Sequence, residues 1–115
     1  MSGRNTLELI HGILTEITKV SRLIEGYQYE DFYRDEQTYT MVTGCIRNLD
    51  TMARQMPTII QVKYALLPWK ELAALEEEVA HADTVTRPGV IWRICTETLP
   101  RIQPLVENLI EELEK

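Results

Sequence analysis

A chain of 115 residues with 44% apolar and 26% charged residues has room for one hydrophobic core, and its composition is neither that of a disordered tail nor that of a coiled coil. Its net charge of −6, with acidic and basic residues interspersed, argues against generic binding to nucleic-acid backbones, which draws on clustered Lys and Arg. No run approaches the ~20 apolar residues of a membrane span, and Glu8 and His11 interrupt what would otherwise resemble a signal-peptide core, so one domain over residues 1–115, in the cytoplasm and away from membranes, is the expectation.

From Thr6 to Glu25, Leu7, Ile10, Ile13, Leu14, Ile17, Val20 and Ile24 recur at helical spacing, and Gly26 is a natural stop. The aromatic and acidic connector "YQYEDFYRDEQTY" follows; it holds four of the five tyrosines, whose rings are expected to pack over a helix end. A second stripe, Met41, Val42, Cys45, Ile46, Leu49, Met52, Ala53 and Met56, runs until Pro57 ends it, with Gly44 weakening it only slightly. Between Pro57 and Pro68 the periodicity is too brief to define more than a short helical turn. Pro68 reads as a first-turn proline opening one helix with Trp69, Leu72, Ala73, Val79 and Ala80 on a single face. "TRPGV" reads as a turn, and beyond it Ile91, Cys95, Leu99, Ile102, Val106, Leu109 and Leu113 form the last stripe, which Pro100 and Pro104 should kink or interrupt. No segment alternates with period two, so the expected class is all-α: an up-and-down bundle of four to five helices.

Cys45 and Cys95 fall on apolar helical positions and read as buried, reduced thiols. Both histidines follow a glutamate by three residues, Glu8 with His11 and Glu78 with His81, a spacing that belongs to the signature of carboxylate-bridged di-metal bundles. At about 100° per residue, however, Glu8, His11, Glu78 and His81 all point away from the apolar stripes, so no metal site and no cofactor is expected. Glu76 differs: it projects near the middle of the stripe set by Trp69 and Leu72. Either it lies at the rim of a half-covered face beside a basic partner, or it lines a cleft or a subunit interface, where the candidate cations for pairing across two copies are Lys70, Arg87 and Arg93. No Gly-rich phosphate loop, Cys-x-x-Cys pair or Gly-x-Ser-x-Gly turn is present in the sequence.

Taken in order, several segments resemble the HepT-like branch of the HEPN superfamily, the helical partners of minimal nucleotidyltransferases in prokaryotic toxin–antitoxin pairs. The resemblance rests on "GYQYEDF" with Asp35 and Thr38 beyond it, on "YALLPWKELAAL" as a Tyr-x-x-Ile-Pro-Trp-x-x-Ile pattern, and on "IWRICTETLPRI" as Trp-x6-Leu-Pro-x-Leu. It implies a HEPN-like homodimer and an Arg-x4-His-x-Tyr site on the helix opened by Pro-Trp. There His assists attack of an RNA 2′-hydroxyl on its own phosphate, Arg steadies the transition state, and the partner adenylylates the Tyr. In this sequence His81 keeps the histidine position, but Glu76 stands at the Arg position and Asp83 at the Tyr position. Glu77 replaces an Asn, and Asp50 and Thr51 replace a Gly-Glu pair on the second helix; Thr84 carries a hydroxyl but lies one residue off.

The leading expectation is therefore a catalytically degenerate HepT-like homodimer that serves a nucleotidyltransferase-like partner. An active metal-independent endoribonuclease, using His81 with a cation such as Arg87 or Lys70 and binding RNA, is the alternative. A metal or small-ligand bundle built on the two Glu-x-x-His pairs is the third.

Overall fold

A computed structural model describes residues 5–115; residues 1–4 of the expected 1–115 domain lie outside the described residues. The described chain is helical, with no strand among the described residues. Helix α1 (Thr6–Leu23) begins with a capping box in which the Asn5 side chain accepts the Glu8 N–H at 2.8 Å while the Glu8 carboxylate accepts the Asn5 N–H. It ends ahead of Gly26, whose φ of +80° is the left-handed conformation that glycine adopts without strain. The connector folds into a short helix, α2 (Tyr29–Arg34), not a simple loop. Asp35 then caps α3 (Glu36–Arg54): its carboxylate accepts the Thr38 N–H at 3.0 Å, the Thr38 hydroxyl at 2.8 Å and the Tyr27 hydroxyl at 2.6 Å. These donors, Tyr27 above all, hold the Asp35 carboxyl below its ordinary pKa.

The stripes of α1 and α3 face each other in the core; Ile10, Ile13, Ile17, Val42, Ile46 and Leu49 are all buried. Met41, expected in that stripe, is exposed. The tyrosine-rich connector is anchored by Phe32, whose ring centroid lies 5.3 Å from Trp92 and 5.4 Å from Tyr39, so α2 is sealed to the rest by aromatic packing.

After Pro57 comes α4 (Thr58–Lys63), the short turn the sequence allowed. The Trp69 indole N–H donates to the Tyr64 carbonyl at 3.1 Å, closing the bend that carries Pro68. The single helix expected from Pro68 onward is instead two: α5 (Trp69–Leu72) and α6 (Leu75–His81), separated by a turn at residues 73–74. In one continuous helix Glu76 would lie about 20° from Trp69 and Leu75 about 120° from it; the break shifts the phase so that Leu75 is buried and Glu76 is not.

"TRPGV" is likewise not a turn. The turn lies at residues 83–86, and α7 (Arg87–Arg93) takes Pro88 into its first turn, where a missing N–H leaves no hydrogen bond unmade. A π turn (Ile94–Thr98) leads into α8 (Leu99–Glu114), the Leu99 N–H reaching back five residues to the Ile94 carbonyl. This widened turn precedes Pro100, while Pro104 is carried inside α8; together α7, the π turn and α8 form one modified rod without a full break. Helix α8 packs on α1, α7 on α2 and α6, and α6 on α3. The result is the expected all-helical bundle, built from long rods joined by short helices. No helix among the described residues is long and apolar enough to cross a membrane.

Candidate functional site

The site residues singled out by sequence lie on or just beyond α6. Leu75 is fully buried and Val79 half-buried, so these two turn the helix toward α3 and α7. Glu76, Glu77 and Glu78 fill its first turn and all are exposed. His81 is the last helical residue, exposed, with no hydrogen bond or ion pair holding it among the described residues. That agrees with its expected position off the apolar face.

Glu76 does not sit in an apolar stripe. The break at residues 73–74 resets the helical phase after Leu72, so the Glu76 side chain is 51% exposed at the rim. Its carboxylate lies 3.7 Å from the Arg47 guanidinium of α3 in the same chain. Within the chain the cation beside Glu76 is thus Arg47, which makes the rim reading the one that holds there.

What positions α6 is a residue that the sequence marked only as a departure. Asp50 of α3, 3% exposed, is buried and accepts the backbone N–H of Glu76 at 3.0 Å. Ala74, at the N-cap, has no side-chain acceptor, so Asp50 satisfies from a neighbouring helix a donor that a local cap would otherwise take. Its other oxygen takes the Arg54 Nε–H. That hydrogen bond, and next the Asp50 charge, hold Arg54 more firmly protonated than an ordinary arginine, with Glu77 and Glu76 adding to the effect. Arg47, Asp50 and Arg54 stand at i, i+3 and i+7, one face of α3; that spacing was a readable signal that the face meets a polar partner.

The far end of α6 is closed by Arg87, which donates to the Val79 carbonyl at 3.2 Å and to the Ala82 carbonyl at 2.9 Å. The Val79 carbonyl also takes the Ala82 N–H at 3.2 Å, so Arg87 adds a second donor there and satisfies Ala82 beyond the helix end. Asp83 accepts the Thr86 N–H at 2.8 Å and the Thr86 hydroxyl at 3.0 Å, which fixes the 83–86 turn. The same bonds hold its carboxyl below the ordinary value, the backbone N–H of Thr86 contributing most.

Charge decides what this arrangement can do. Around His81 the helix presents three glutamates and Asp83, while Arg47 faces Glu76, Arg54 faces Asp50 and Arg87 is turned into backbone carbonyls. A site for phosphoryl chemistry needs positive charge where negative charge develops. As for metals, Glu8 serves the α1 cap and His11 pairs with Glu114 at 3.0 Å at the exposed start of α1. Among the described residues no three His, Cys, Asp or Glu side chains converge on one point. Cys45 and Cys95 are buried and unbridged, and burial pushes their thiols up to about 11 and about 12.

Comparison with known proteins gives the frame for these residues. The model of the HepT-like ribonuclease family matches residues 13–109, which runs from α1 almost to the end of α8. The chain belongs to the HepT-like ribonuclease family. Among its HepT-like relatives, a candidate RNase of Methanocaldococcus jannaschii is 23% identical over 115 residues, covering 100% of this chain and 99% of that protein. A candidate ribonuclease HepT of Thermococcus cleftensis is 24% identical over 100 residues, covering 84% of this chain and 91% of the other. A candidate RNase of Caldanaerobacter subterraneus is 20% identical over 100 residues, with 87% and 89% covered. No solved structure matches significantly. The matched residues include all of α6, with Glu76 and His81, and Asp83 just beyond it.

Proposed function

We propose that this protein is a single-domain HepT-like HEPN protein of toxin–antitoxin type whose ribonuclease centre is degenerate. In this reading it acts as a dimeric accessory subunit for a nucleotidyltransferase-like partner. The observation that carries the reading is the charge at position 76. The family's Arg is replaced by a carboxylate, a change of two charge units in the wrong direction, and the nearest guanidinium, Arg47, is engaged by that same carboxylate. Asp83 supports it, since it has no hydroxyl to accept adenylate and its carboxylate is used within the chain. The test is an RNA-cleavage assay on the purified protein in the presence of a chelator. Wild type and His81→Ala are expected to be equally inactive, and cleavage that His81→Ala abolishes overturns the reading.

One observation favours a second reading, an active metal-independent endoribonuclease using His81. Arg87 brings a guanidinium against the carbonyls of Val79 and Ala82, on either side of His81 in the chain. In that case Arg87 gives up these carbonyls to supply the cation, RNA is the substrate, and expression of the protein alone arrests growth. Harmless high-level expression counts against it.

A further inference from the structure

The bend after α4 and one face of α8 flank a groove of about 200 Å³. On the α8 side Leu105, Asn108, Leu109 and Glu112 stand at i, i+3, i+4 and i+7, a single helical face. The opposite wall runs from Lys63, the last residue of α4, to Leu67, and the Trp69 indole bond to the Tyr64 carbonyl holds that bend in shape. Leu67 and Leu109 are buried and give the groove an apolar floor. Its polar groups are not committed within the chain. Lys63 and Glu112, one on each wall, have no ion-pair partner among the described residues and do not pair with each other; Lys63 lies 5.4 Å from the Tyr64 ring centre. The Asn108 carboxamide makes no hydrogen bond among the described residues.

We propose that this groove binds a free apolar α-amino acid of about the size of leucine. The ligand side chain lies on Leu67, Leu105 and Leu109, its carboxylate meets Lys63, and its ammonium meets Glu112, with the Asn108 amide oxygen as a second acceptor. Charge complementarity selects this class of ligand. A fatty acid would satisfy Lys63 and leave the Glu112 carboxylate unmatched, and an alkylamine would do the reverse. The interior of a peptide carries neither backbone charge. A small zwitterion with an apolar side chain answers the cation, the anion and the apolar floor together, as sites with a few placed polar groups on apolar walls do. Size agrees, since the groove is smaller than the ~300–1,000 Å³ of sites for drug-sized ligands. The inference goes beyond the function proposed above and does not depend on it.

The test is a heteronuclear NMR titration of the whole chain with L-leucine at pH 7. Saturable shifts confined to the amides of residues 63–67 and 105–112 are expected, with an affinity near ~1 mM, the scale for about nine heavy atoms at modest ligand efficiency. L-Leucinamide lacks the carboxylate, N-acetyl-L-leucine lacks the ammonium and glycine lacks the side chain; each is expected to bind at least tenfold more weakly. Lys63→Gln is expected to weaken L-leucine by a similar factor and leave L-leucinamide unchanged, and Glu112→Gln to weaken L-leucine but not N-acetyl-L-leucine. Both side chains are exposed, so both variants keep the fold, which an unchanged circular dichroism spectrum verifies. Absence of saturation, or shifts elsewhere in the chain, overturns the site. N-acetyl-L-leucine binding as tightly as L-leucine marks an apolar groove indifferent to the zwitterion and overturns it as well. Shifts in these residues that follow protein concentration and not L-leucine assign the groove to a second copy of the chain, which also overturns the proposal.

Discussion

Asp50 fastens α6 to α3, and its removal provides a direct measure of that link. In Asp50→Ala the Glu76 N–H loses a charged acceptor, and hydrogen bonds to charged groups contribute about 1.5–3 kcal/mol. Two effects act on this figure. Arg54, 60% exposed, is rehydrated when its partner goes, so the ion pair itself adds little. Relief of a buried carboxylate works in the opposite direction and offsets a similar amount. The capping bond therefore dominates, and the expected loss is about 2 kcal/mol, or roughly 8 °C in melting temperature for a chain of this size. Asp50→Asn keeps an oxygen for the Glu76 N–H and should lose only about half as much. Urea unfolding followed by far-ultraviolet circular dichroism at pH 7, with the denaturant slope unchanged, reads both numbers. Asp50→Ala within the error of wild type, or Asp50→Asn costing as much as Asp50→Ala, would refute the cross-helix cap.

Arg87→Lys should cost about 1–2 kcal/mol and speed amide exchange at the end of α6, because a single ammonium cannot reproduce the two donors that reach the Val79 and Ala82 carbonyls. Cys45 and Cys95 should resist a thiol reagent at pH 8 in the native protein and react in denaturant, since burial raises both pKa values to about 11 and about 12; modification of the native chain would contradict their placement. Acid titration of stability tests Asp35. Its folded pKa lies below the ordinary 3.8, so its contribution is full above that value and is lost as pH falls through the depressed one. The stability advantage of wild type over Asp35→Asn should accordingly shrink below about pH 4, and an advantage that persists unchanged at pH 2 would show that Asp35 does not act through its charge.

The long helices were legible because their signal is local and repeated. The stripes of α1 and α3, and the run from Ile91 to Leu109, need only the helical period and a stop residue to be read, and Ile13, Ile46 and Leu99 are buried where the period puts them. The short elements were not, because tertiary contacts decide them. Nothing in "WKELAALEEEVAH" announces a break at residues 73–74; its effect is to turn Leu75 into the core in place of Glu76. Gly89 and Pro88 look like a turn locally, yet the Asp83 carboxylate fixes the turn three residues earlier and leaves Pro88 where a helix tolerates it. At the candidate site His81 is exposed as expected and Glu76 lies at the rim beside a cation, one of the two alternatives given for it; only its place in mid-stripe fails, because the phase slips at the break. Asp50 stayed hidden because a capping acceptor supplied by another helix leaves no mark at the N-terminus it serves.

The π turn at Ile94–Thr98 bears on how the length of this chain can change. Ile91, Cys95 and Leu99 advance by two steps of four, and in a regular α-helix each such step drifts about 40° from the previous side chain. All three are nonetheless buried, because the wider turn takes up the drift by accommodating one residue more than an α-helix would. Removing exposed Thr96 would leave steps of four and three, the spacing of an ordinary helix, with both ends still in phase. The same deletion inside α1 or α3 would rotate half of a buried stripe by about 100°. Of the long helical segments, the one that spans α7 and α8 is thus the one with a spare residue, and relatives one residue shorter can keep this fold by losing it there.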